Sequence, residues 1–136
     1  MNVQFTIPGE PKGKGRPRFK KTGKTYTPTP TAEYEEMVRW EYASQCENYR
    51  FPDDCGVSMY IDAHFAIPKS ASEEKKQLMF EGDIKPTKKP DVDNILKIIA
   101  DSLNGVAYKD DAQIVEAHIS KWYSDCPGVT VTLLTE

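Results

Sequence analysis

Five aspartates crowd the stretch from Lys85 to Ile114, KPTKKPDVDNILKIIADSLNGVAYKDDAQI: Asp91, Asp93, Asp101, Asp110 and Asp111, with Lys97 among them. Carboxylates this close repel one another unless a cation joins them, so their chemistry is that of cation binding if they converge in space. Pro90 disfavours helix for the residue before it, and Asp91 or Asp93 is placed to cap the free N–H groups of a helix that starts there. Asp93, Lys97 and Asp101 then recur at i, i+4 and form one stripe, beside an apolar face of Val92, Ile95, Leu96, Ile99 and Leu103. Two arrangements satisfy this spacing. One is a capped helix with a surface ion-pair ladder, followed by an acidic turn. The other is a site for magnesium, a hard cation that takes oxygen ligands and keeps several waters. Such a site draws on Asp91, Asp93 and Asp111, if Asp110 and Asp111 enter a strand that returns the chain to the helix start. Lys97, one turn along, would balance charge or steady the negative charge developing on a phosphate. Spacing alone leaves both open.

The rest of the chain must position that stretch. Val3, Phe5 and Ile7 alternate with polar residues and predict a first strand ended by Pro8 and Gly9. PGEPKGKGRPRFKKTGKTYTPTP has too much Gly and Pro for a helix and predicts a loop or open hairpin. Thr29 and Pro30 read as N-cap and first residue of an amphipathic helix running to about Asn48, with an acidic outer face and aromatics suited to core or subunit interface. Strict alternation from Val57 to Phe65 predicts a strand, with His64 on its more polar side. Ser70 with Glu73 makes a capping-box pattern for a short helix that stops at Gly82, a lid or excursion. After the central helix, Asn104 and Gly105 form a stop. Val115, Ala117, Ile119 and Lys121 mark one face of a further strand, and Val129 to Leu134 a last one. Strands at both ends with helices between them predict an α+β fold, a mixed β-sheet with helices packed against it, as one domain over residues 1–136.

Charge distribution says more about partners than the formal net charge of -3. Lys12, Lys14, Arg16, Arg18, Lys20, Lys21 and Lys24 follow one another with no acid among them, and Lys85, Lys88 and Lys89 directly precede the aspartates. Arginine forks suit phosphate, Gly13 and Gly15 let backbone approach a ligand, and Phe19 and Tyr26 offer stacking surfaces, so nucleic acid is the expected partner. A solvated charge run is the bland alternative. Cys46, Cys55 and Cys126 form no CxxC pair, and His64 and His118 have no ligand partner nearby, which argues against zinc and for a reducing compartment. No membrane span or leader is recognisable, so a cytoplasmic protein is expected.

DVDN with Lys97 in the same helix, YKDDAQI leading into a strand, and an N-terminal strand followed by GKGRPRF together resemble the RusA family of Holliday-junction resolvases. The resemblance implies a small homodimeric α+β nuclease that uses magnesium to nick four-way DNA junctions. Carried over residue by residue, it makes Asp91, Asp93 and Asp111 the catalytic, metal-binding aspartates and Lys97 the functional lysine. Asp110 is the neighbour whose role must be separated from that of Asp111. DNA contact falls to Lys12, Lys14, Arg16, Arg18, Lys20, Lys88 and Lys89. The segment from Lys69 to Lys89 is longer than in compact members of that family, which bears on substrate preference. Nucleases for forks or flaps, a non-catalytic DNA-binding dimer, and an adaptor using the acidic helix are the competing expectations.

Overall fold

The computed structural model describes residues 1–14, 18, 19, 23, 25, 26 and 29–135. Four strands form one mixed sheet: β1 (Asn2–Pro8), β6 (Gly128–Leu134), β4 (Val57–Ala66) and β5 (Ile114–Ser124), in that spatial order. β6 lies antiparallel to β1 and to β4, while β4 and β5 run parallel. A parallel pair needs a long crossover. The crossover here carries α2 (Glu73–Glu81) and α3 (Val92–Ser102), so the aspartate-bearing helix is the connection the sheet requires. The expected α+β class with a mixed sheet is the observed one. Among the described residues, no helix is long and apolar enough to cross a membrane.

α1 (Thr29–Cys46) and α3 pack together and close the core over one face of the sheet. Tyr34, Val38 and Tyr42 recur every four residues and are buried, with Tyr42 edge-on to Phe5 of β1 at 5.2 Å. The Tyr42 hydroxyl donates to the Tyr49 carbonyl, which gives the buried ring its polar partner. β1 is an edge strand with free backbone groups, and α1 protects it. Gln45 accepts from the Thr6 N–H at 2.9 Å and donates to the Thr6 carbonyl at 2.8 Å, so a side-chain amide stands in for a missing strand. Trp40, 67% exposed, is the aromatic of α1 that the core does not take up.

Several expectations change in detail. The cap of α2 is Ser72, whose hydroxyl accepts from the Lys75 N–H; Ser70 lies too early. α1 stops at Cys46 because Glu47 and Asn48 turn left-handed, at φ 54 and 57. The apolar face of α3 centres on Ile95, Ile98, Ile99 and Leu103, and Val92 is exposed. Val115 and Ala117 are exposed too, and the register slips between Val57 and Ser58, leaving Val115 without a partner in β4. The basic stretch contains two short strands, β2 (Arg18–Phe19) and β3 (Thr25–Tyr26), paired antiparallel as an open hairpin.

Candidate active site

Helix periodicity and one tight turn build the candidate site. Asp91 takes the N-cap position of α3 in extended conformation, and its carbonyl accepts from Ile95. Its carboxylate makes no capping hydrogen bond. This separates Asp91 from the ordinary helix-start account of DVDN, in which that oxygen would be consumed by a backbone N–H. From Asp93 onward, one stripe of α3 carries Asp93, Lys97, Ala100 and Asp101. These line a cavity of about 290 Å³ together with Leu96, Asp111 and Ile114.

Asp111 reaches the cavity from a 3-10 turn, Asp111–Gln113, rather than from a strand as the sequence suggested. The turn separates the two adjacent aspartates chemically. Asp110 is its N-cap, and one of its carboxylate oxygens accepts from the Ala112 N–H at 2.9 Å. Gln113 completes the capping box and ties the turn to the loop before β4, donating to the carbonyls of Pro52 at 2.9 Å and Cys55 at 3.1 Å. Buried Tyr108 donates from its hydroxyl to the Ala100 carbonyl at 2.7 Å, holding the approach to this turn against α3.

The electrostatics are those of crowded carboxylates. The Asp111 carboxyl is held above the ordinary carboxylate range, first by burial, then by a hydrogen bond shared with Asp101 and by repulsion from Asp110; a bond to Asn104 works the other way. Two lysines answer part of this charge at Asp101 Oδ2, with Lys14 at 3.4 Å and Lys97 at 3.6 Å. Asp91 and Asp93 have no hydrogen bond or ion pair among the described residues. An all-oxygen donor set with surplus negative charge suits a hard divalent cation, which needs only one or two carboxylates and completes its shell with water. Asp93 and Asp111 supply that within one cavity. Among the described residues, no three acidic, histidine or cysteine side chains stand together as a ready-made metal cage. Asp91 faces a neighbouring recess of about 560 Å³, lined also by Pro11, Lys12, Gly13, Lys14, Lys89, Pro90 and Asn94.

The sequence-proposed DNA residues divide accordingly. Lys12 and Lys89 are exposed at the recess beside Asp91. Lys88 is exposed with its ammonium 5.7 Å from the Phe65 ring, and its carbonyl accepts from Lys121 at 2.5 Å. Lys14 is turned inward to Glu35, 2.7 Å away. Arg16 and Lys20 lie outside the described residues, and Arg18 is described only through its backbone in β2. The sequence placed Asp101 in the charged stripe without assigning it a part in the site; it stands in the cavity. Glu35 carried no local signal at all, since its partner is 21 residues away.

Comparison with known proteins adds two findings. The family model for endodeoxyribonuclease RusA matches residues 8–134. A Bacillus subtilis (strain 168) protein named "Uncharacterized protein YqaN" is 36% identical over 137 residues, covering 96% of this chain and 94% of its own.

Proposed function

Because the chain belongs to the RusA family of endodeoxyribonucleases, which act on Holliday junctions, we propose that it is a magnesium-dependent resolvase that hydrolyses phosphodiesters at four-way junctions. The observation that carries this reading is the sharing of one cavity by Asp93, Lys97 and Asp111, with Asp91 at the start of the same helix and its carboxylate making no capping hydrogen bond. Asp91, Asp93 and Asp111 are the residues proposed to hold Mg2+. When bound, the metal supplies Lewis-acid polarisation of the scissile phosphate and lowers the pKa of a coordinated water.

The chain's own residues do the rest. Lys97 has a side chain 61% exposed, so its ammonium can meet phosphate oxygens while Asp101 fixes its approach. Asp110 differs from Asp111 in that its Oδ2 accepts the capping bond from the Ala112 N–H. The recess with Lys12 and Lys89, the exposed Lys88 and the basic residues Arg16, Arg18 and Lys20 offer cationic contacts to the backbone of the junction arms, which bring affinity but no base selectivity. A homodimer with two such sites would match the near two-fold symmetry of a four-way junction and make paired symmetric nicks.

The test is a labelled four-way junction beside linear duplex, fork and flap, each with and without Mg2+. Paired nicks on the junction that require Mg2+ support resolution. Equal or faster cutting of forks or flaps would assign a broader branched-DNA nuclease, and tight junction binding without cutting under any divalent metal would assign a binding protein.

A further inference from the structure

Lys14 differs from the basic residues around it. Its side chain is 18% exposed, with the ammonium 2.7 Å from Glu35 of α1 and 3.4 Å from Asp101 of α3, carboxylates that are themselves 12% and 20% exposed. Asp101 stands 3.6 Å from Lys97 and shares a hydrogen bond with Asp111. Charged groups from four parts of the chain thus run without a break from Lys14 to the cavity. The backbone follows the same path. The Lys14 N–H donates to the Asn94 carbonyl at 3.2 Å, and Gly13 sits so close to α3 that a Cβ there would meet Pro90 Cβ at 2.9 Å and Asn94 Cβ at 3.0 Å. Burial opposes the charge on Lys14, but the pull of Glu35 and then Asp101 outweighs it and leaves the ammonium above its ordinary value.

An ammonium held by two half-buried carboxylates cannot reach a phosphate without abandoning both, which would leave Glu35 charged, half-buried and uncompensated. We infer that Lys14 is a positioning residue: by pairing with Glu35 and Asp101 it seats the root of the basic hairpin on α3, so that DNA held by the hairpin meets Asp93, Lys97 and Asp111 in register. This rests on the site assignment above and gives Lys14 a part separate from that of Lys12 or Lys89. A displacement of about 1 Å at a reacting centre costs roughly 100-fold in rate, so a loosened seat acts on the chemical step more than on binding.

Three measurements on Lys14→Met and Lys14→Arg decide the matter: junction affinity across a salt series, single-turnover cleavage at saturating enzyme, and amide exchange at residue 14. The expected pattern for Lys14→Met is a loss of about 10-fold or more in the saturating rate. Affinity and its salt slope stay unchanged, and residue 14 loses its exchange protection. Lys14→Arg, which keeps the charge, recovers part of both the rate and the protection. A salt slope lower by about 1 with the saturating rate intact would make Lys14 a phosphate contact and overturn the inference. No change in rate or protection would overturn it equally. If Lys14→Met does not fold, Glu35→Gln, which lies outside the cavity, is expected to give the same rate loss with unchanged slope, and a normal rate in that variant rejects the seat. Amide exchange and salt slope need no cleavage, so a wild type that cuts nothing would refute the resolvase assignment while these two readouts still decide the role of Lys14.

Discussion

Gly13→Ala introduces one methyl group where the chain passes closest to α3. The new Cβ would lie 2.9 Å from Pro90 Cβ and 3.0 Å from Asn94 Cβ, atoms fixed to backbone and unable to swing aside. Overpacking of this kind costs about 1–3 kcal/mol where the backbone must absorb it. The segment has a cheaper escape, which is to lift away from the helix. Lifting forfeits the bond from the Lys14 N–H to Asn94, about 1–2 kcal/mol, while the flexible Lys14 stem lets its ammonium stay on Glu35. The cheaper route caps the loss near 2 kcal/mol, and at roughly 3–5 °C per kcal/mol for a chain of this size the melting temperature falls by no more than about 10 °C. The tethers upstream, from Gly9 to Pro127 and from Ala66 to Glu10, remain in place. Thermal melting paired with amide exchange checks both halves: a modest drop in Tm together with lost protection at Lys14. A variant that melts more than about 15 °C lower, or one that keeps full protection at Lys14, would show that the segment does not detach in this way.

Other perturbations follow from the same geometry. Tyr108→Phe removes the donor to the buried Ala100 carbonyl and should cost about 1–2 kcal/mol, read as a lower Tm; an unchanged Tm would refute the importance of that bond. Asp111→Asn should raise the Tm of the metal-free protein at pH 7. The folded state binds the Asp111 proton more tightly than the unfolded chain does, so that group's contribution to stability is full below the ordinary value of 3.8 and is lost as pH rises through the raised folded one. The advantage of Asn should therefore shrink as pH falls toward 3.8, and Mg2+ should stabilise wild type but not the variant; a variant that melts lower at pH 7 contradicts this. Lys12→Ala and Lys89→Ala should each lower the salt slope of junction binding by about 1, measured by fluorescence anisotropy, and an unaltered slope would remove them from the DNA contact.

Much of this architecture was legible because its causes are local. Alternation at Phe5 and Ile7, and from Val57 to Phe65, follows from a sheet with one buried face, and the i, i+4 stripe of Asp93, Lys97 and Asp101 follows from helix geometry. What misled was local as well. Ser70 has the capping-box spacing to Glu73, yet Ser72 is the cap, its hydroxyl accepting from the Lys75 N–H without a box partner. Val115 keeps the strand's alternation yet faces solvent, at the register slip that leaves it without a partner in β4. The pair Asp110 and Asp111 could not be resolved by strand parity, since they stand at a 3-10 turn in which Asp110 is the cap and Asp111 lines the cavity. Lys14 looked like its neighbours in a basic run. Only the packing of α1 against α3 shows that its charge is already engaged by Glu35 and Asp101.

The most direct test of the central claim compares wild type and Asp93→Asn on one labelled four-way junction, following binding and strand cleavage together in the presence of Mg2+. The cavity shared by Asp93, Lys97 and Asp111 predicts that the variant binds the junction at least as tightly, because a negative charge facing phosphate is gone, and yields no nicks. An Asp93→Asn protein that cuts at the wild-type rate would contradict the account and return these carboxylates to the role of a solvated helix face.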